Sequence, residues 1–183
     1  MLFIILLIIL FYLLWDFGRK SSGNEIEFGS SSQYASEIGR GFEDYVRVRV
    51  FPKKDYILIH RTGDYRADDY DVSLQKPDFE FTSRNSHKNF FIEAKFRSNA
   101  FGGMVNWCNE SQLKRYLHLN NPKVVFIVLG LGGLPSDPTR LFIFPVRKIP
   151  FTDAFLSKLA LFEIDQKSLP ISDKDLWALL KRN

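Results

Sequence analysis

KPDFEFTSRNSHKNFFIEAKF, residues 76–96, sets two phenylalanine-rich pieces on either side of eight polar residues. That is the pattern of a β-hairpin. Asp78, Glu93 and Lys95 stand inside pieces whose other side chains want burial, and a charge so placed is costly unless something pairs it. Side-chain alternation sends Phe90, Ile92, Ala94 and Phe96 to one face and Phe91, Glu93 and Lys95 to the other. In PDFEF, Pro77, Phe79 and Phe81 share one face, Asp78 and Glu80 the opposite one. Pairing the pieces across TSRNSHKN puts both charged faces on the same side. The hairpin then has an apolar core face and an acidic patch with one lysine in it.

Two carboxylates and an ammonium on one strand face suit a hard divalent cation. Mg²⁺ takes oxygen ligands and often needs only one or two protein carboxylates, with substrate phosphate and water completing the shell. Asp78 and Glu93 can supply those ligands, while Lys95 pairs with them and holds a water against a phosphate. Metal-dependent hydrolysis of a phosphodiester is the reaction this set would serve.

Pro77-Asp78, a gap, then Glu93-Ala94-Lys95 resembles the signature of the PD-(D/E)xK nuclease superfamily, its RecB-like and Mrr-like branches included. GRGFEDYV (39–46) is similar to the helix that precedes the core in those nucleases and often lends a glutamate, here Glu43. Gln112-Leu-Lys-Arg-Tyr116 looks like the Q-x-x-x-Y element of the RecB-like branch. The likeness covers roughly residues 34–146. It implies an α/β, restriction-endonuclease-like fold, a mixed central sheet flanked by helices in the core order α-β-β-β-α-β. It also implies that Asp78 and Glu93 bind Mg²⁺, with Mn²⁺ as the alternative ion. The Ala94 carbonyl would add a ligand, Lys95 would position the nucleophile, and Gln112 and Tyr116 would help place DNA or the metal-bound water.

The rest of the chain frames this hairpin. Its 183 residues suffice for one domain with a real core, and 18 phenylalanines make that core aromatic-rich. A formal charge of +4 suits a polyanion without demanding one. The single cysteine, Cys108, excludes an intrachain disulfide. LFIILLIILFYLLW (2–15) is an unbroken apolar run. With its neighbours, residues 1–17 span roughly 25 Å as a helix, slightly short of a ~30 Å hydrocarbon core. No basic residue precedes the run and no small-x-small cleavage site follows it, so a retained single-pass anchor is favoured over a cleaved leader. Arg19 and Lys20 on its C-terminal side place the remainder in the cytoplasm.

Residues 18–32 read as a Gly/Ser linker and 33–183 as the nuclease-like domain. Within it the sequence predicts a helix from about Ser32, a strand over 55–63 and an acidic turn-like segment over 64–75. The hairpin follows, then a loop (SNAFGGMVNWCNE) and a helix over 110–119. Strands are predicted over 123–131 and 140–146, an amphipathic helix over 151–163 and a last one over 173–182. GLGG (130–133) lacks a following Gly-Lys-Ser/Thr and reads as a turn, not a phosphate loop.

Several residues keep two readings. Glu43 is a metal ligand or a plain partner of Arg47 four residues on. Glu80 is an exposed strand charge or a third ligand. Tyr116 contacts substrate or packs on the sheet; Lys114 and Arg115 meet phosphates or are merely solvated. The expected function is a membrane-tethered, metal-dependent nuclease acting on nucleic acid, DNA before RNA. Cutting both strands needs two active sites, which a homodimer would provide. The alternative is a catalytically inactive nucleic-acid-binding or scaffolding domain of the same fold.

Overall fold

The computed structural model describes residues 29–62 and 76–182. The expected anchor (1–17), most of the linker and the acidic segment 64–75 lie outside them. No helix among the described residues is long and apolar enough to cross a membrane. The chain divides into two compact units, Met1–Ser36 and Glu37–Asn183; in the first, residues 29–36 are helical.

Helix α1 covers Gly29–Tyr45 and runs on into a wider π-helical turn, Val46–Val50. It starts three residues before the serines predicted, so residues 29–32 belong to the helix and not to the linker. Serine costs a helix little in its opening turns.

β1 (Tyr56–Arg61), β2 (Phe79–Ser83), β3 (Asn89–Arg97), β5 (Val124–Leu134) and β6 (Asp137–Pro145) form one sheet in the order β1-β2-β3-β5-β6. Only β3 and β5 are parallel. A parallel pair needs a crossover, and α2 (Glu110–Leu119) lies within it. The result is a mixed α/β architecture with a mostly antiparallel central sheet flanked by helices. It fits the restriction-endonuclease-like layout that the resemblance implied.

The hairpin forms as its sequence asks. Its turn is closed by Ser83, whose buried hydroxyl accepts from the amides of Asn85 and Ser86, both at 3.2 Å. On one side of the sheet Phe79, Phe81, Phe90 and Ile92 are all but inaccessible. Phe51 stacks on Phe81 at 5.3 Å between ring centres, and Trp177 of α4 (Asp173–Ala178) meets Phe90 edge-on at 6.0 Å. Across β5, helix α1 approaches so closely that a Cβ on Gly130 would lie 2.5 Å from the Phe42 ring.

Three predicted elements differ. GLGG is not a turn: β5 continues through it to Leu134, Gly132 and Gly133 take φ of 69°, and the chain reverses at 135–136. The amphipathic helix over 151–163 is instead β7 (Asp153–Phe155), a short α3 (Leu156–Leu159) and a 3₁₀ turn. The loop after the hairpin contains β4 (Met104–Asn106), which pairs with β7. Residues 151–163 have helical periodicity, but the free hydrogen-bonding edge of β4 captures 153–155 first.

Candidate active site

β2 and β3 pair so that Phe79 faces Ile92 and Glu80 faces Phe91. One more step of that register sets Asp78 opposite Glu93, and opposed residues of an antiparallel pair point to the same side. Thr62, just past β1, fixes the Pro77-Asp78 backbone. Its amide donates to the Asp78 carbonyl at 2.9 Å and its hydroxyl to the Pro77 carbonyl at 2.9 Å. The Asp78 side chain crosses to the neighbouring strand, where Oδ2 accepts from the Ala94 amide at 2.8 Å. Asp78 is thus held against the backbone between Glu93 and Lys95.

Glu93 is 4% exposed. Its Oε1 takes the Lys95 ammonium at 2.5 Å and the Tyr116 hydroxyl at 2.5 Å. Tyr116 comes from α2 and lies stacked on buried Trp107, ring centres 6.2 Å apart. The sequence left Tyr116 between substrate contact and packing; the structure buries its ring and gives its hydroxyl to Glu93. Nothing in the sequence singled out Trp107 as the plate beneath it.

Burial drives the Asp78 carboxyl well above its ordinary range and the Glu93 charge adds to that, while Lys95 and the Ala94 amide pull back and Glu43 adds a little. Burial, with the charge and hydrogen bond of Glu93, also drives the Tyr116 phenol far upward, so it stays a donor. Cys108 is pushed up to about 11, chiefly by burial, which leaves it no thiolate character at neutral pH.

The other predicted residues lie as follows. Glu43 pairs with Arg61 at 3.2 Å, whereas Arg47 reaches Asp44 at 3.6 Å. The Gln112 Oε1 accepts from the Asn109 amide at 3.2 Å, and its own amide donates to Asn109 Oδ1 at 2.8 Å. These two bonds make a capping box that starts α2, and the run Asn109-x-x-Gln112 is the signal that announces it. Lys114 is exposed. Arg115 lies against Tyr116, its guanidinium carbon 5.2 Å from the ring centre, and its Nε is buried without a hydrogen-bond partner. Glu80, expected at the surface, is 6% exposed and ion-paired with Lys123.

Among the described residues no three His, Cys, Asp or Glu side chains gather as a metal cage. The donor set on offer is two carboxylates and the strand backbone, all oxygen. A divalent cation fits it, because Asp78 is buried beside a second carboxylate whose charge it resists. An added positive charge relieves that repulsion.

No family model matches the chain, and no curated protein matches it. Among solved structures, that of Archaeoglobus fulgidus Hjc, a Holliday junction resolvase from an archaeal hyperthermophile, aligns with a TM-score of 0.45 at 14% identity. The alignment covers 69% of this chain and 93% of that one. So distant a likeness transfers no residue role from one chain to the other.

Proposed function

We propose that this chain is a metal-dependent nuclease that hydrolyses phosphodiester bonds, in DNA before RNA. The observation that carries the reading is the convergence of Asp78, Glu93 and Lys95 on one face of a paired β2–β3 ladder. Asp78, Glu93 and the Ala94 carbonyl would hold Mg²⁺ or Mn²⁺, with Glu43, here paired with Arg61, as a further candidate ligand. A bound divalent cation supplies an acidified water and neutralises charge on the phosphate.

The chain's own groups do the rest. Lys95 presents its ammonium to the attacking water and keeps it aligned on the phosphorus. Tyr116 holds Glu93 in one rotamer by donating to it. Arg115, its guanidinium against the Tyr116 ring, and exposed Lys114 add positive charge along α2. Gln112 acts one step back, by fixing the start of the helix that carries Tyr116. Residues 1–17 would tether the enzyme to a membrane with the catalytic domain on the cytoplasmic side. A homodimer would present two such centres to two strands.

The test uses the full chain in detergent micelles with plasmid and Mg²⁺ or Mn²⁺. Cleavage is expected, and Lys95→Ala should reduce it about a hundredfold or more. Cleavage by Lys95→Ala at the unaltered rate overturns the mechanism. Binding without cleavage under several metals favours the inactive nucleic-acid-binding domain instead. Carbonate-washed membranes should retain the chain if residues 1–17 anchor it.

A further inference from the structure

β4 and β7 form a two-stranded ribbon apart from the central sheet. Its register opposes Met104 to Phe155, Val105 to Ala154 and Asn106 to Asp153. Val105 and Ala154 turn inward and are 1% and 2% exposed. Met104 and Phe155 therefore look outward. Phe101 joins them: it is bridged to Met104 by reciprocal backbone bonds of 2.8 and 2.9 Å around Gly102 and Gly103. Both glycines have positive φ, 56° and 74°, the backbone of a tight two-residue hairpin. Phe101 is 91% exposed and Phe155 60%. Water-facing rings on an ordered ribbon, with the opposite side buried, need a reason.

The ribbon is joined to the face that carries the candidate centre. Arg97 follows Lys95 by two residues on β3, and so shares its side. Its guanidinium donates to the carbonyls of Asn106 at 2.7 Å and Trp107 at 2.9 Å. Trp107 lies under Tyr116, and Tyr116 holds Glu93.

Area and charge decide what covers the rings. The exposed parts of Phe101, Met104 and Phe155 come to about 400 Å², from the size of such side chains. That is roughly half of what each partner buries in a stable protein pair. The ribbon and the segments flanking it in sequence carry Arg97, Lys114, Arg115, Arg147, Lys148 and Lys158 against Glu110, Asp153 and Glu163. A second copy would bring like charge to this surface, whereas a polyanion is attracted to it. Exposed aromatic rings on a ribbon with net-basic flanking sequence, joined through Arg97 to the strand that carries the candidate centre, suit the stacking of bases.

We propose that Phe101 and Phe155 stack on an unpaired nucleobase beside the scissile phosphate, so that the site prefers nucleic acid with an unpaired base over perfect duplex. The proposal deepens the nuclease reading and rests on it.

Two DNA duplexes identical but for one bulged 2-aminopurine separate the outcomes, with the full chain in micelles and Mg²⁺. The wild-type chain is expected to prefer the bulged duplex, and Phe101→Ala to lower that preference roughly tenfold to a hundredfold. Phe101→Tyr, which keeps a ring, should retain it. Binding by the Asp78→Asn chain should quench the 2-aminopurine emission, and adding Phe101→Ala should abolish the quench. A preference and a quench indifferent to Phe101 overturn the proposal. So does a Phe101→Ala effect confined to sedimenting mass, which marks a second copy, or to flotation with phosphatidylglycerol vesicles, which marks a lipid surface. Should the wild-type chain cut nothing, the nuclease reading falls. The quench then decides the stacking alone, supporting it if it depends on Phe101 and overturning it if it is absent.

Discussion

The hydroxyl of Tyr116 lies 2.5 Å from Glu93 Oε1, and the Lys95 ammonium reaches that same oxygen at 2.5 Å. A helix side chain and a strand side chain thus converge on one buried carboxylate oxygen. Glu93 is fixed from both sides of the β3–α2 junction. Tyr116→Phe keeps the stack on Trp107 and removes only the donor. It is expected to cost about 1.5–3 kcal/mol, the range for a hydrogen bond to a charged group. Urea unfolding checks this, with an unchanged denaturant slope showing that the fold is the same.

Asp78→Asn should have opposite effects on stability and on cleavage. The amide oxygen can still accept from Ala94, while the buried charge facing Glu93 is gone. Without metal the variant is expected to melt higher, by about 1 kcal/mol or roughly 2–4 °C. Cleavage should vanish. Mg²⁺ should raise the melting temperature of the wild-type chain and leave that of the variant where it was.

The pH dependence follows with a definite sign. The folded value of Asp78 lies above its unfolded value of about 4, so the folded chain binds the extra proton between those two values. Its contribution to stability is present at the acid end and is lost as pH rises through the raised folded value. In metal-free buffer the deficit of the wild-type chain relative to Asp78→Asn should widen as pH rises through that window. Melting curves of both proteins from pH 4 upward, compared point by point, measure it; a constant difference would contradict the shift.

Gly130 has no room for a methyl group, since its Cβ would lie 2.5 Å from the buried Phe42 ring. Gly130→Ala is expected to cost about 1–3 kcal/mol through forced repacking of α1 against β5. Phe42→Leu in the same chain should recover part of that loss. A double-mutant cycle by chemical denaturation reads the coupling.

Arg97 ties the β4–β7 ribbon to the sheet through the Asn106 and Trp107 carbonyls. Arg97→Ala should raise amide hydrogen exchange over 104–107 and 153–155 selectively, leaving β5 and β6 protected. Peptide-resolved exchange distinguishes this local release from a general loss of stability.

The hairpin was legible because its information is local. The alternation in FFIEAKF and PDFEF names the residues on each face whatever the partner strand, and Ser83 closes the turn from within it. The helix over 110–119 was legible for the same reason, through the NNP run at 120–122 that stops it. The strand over 123–131 was likewise legible from consecutive residues, as an unbroken apolar run, while the core order α-β-β-β-α-β came from the resemblance. Glu80 was misjudged because its partner, Lys123, arrives from more than forty residues away, and no window around β2 contains it. Residues 151–163 were misjudged because periodicity cannot register a strand edge waiting at 104–106.

By itself, then, the chain determined which side chains share a strand face, since a period of two is a property of consecutive residues. It also determined that Asp78, Glu93 and Lys95 would stand together once the hairpin closed. Only tertiary structure decided that the Asp78 carboxylate would be tied to Ala94, that Tyr116 would be spent on Glu93, and that Trp107 would lie beneath it. Tertiary structure also left Phe101 and Phe155 facing water. These outcomes depend on which distant segments meet, and hydrogen-bonding edges and buried charges choose their partners across the fold, not along the chain.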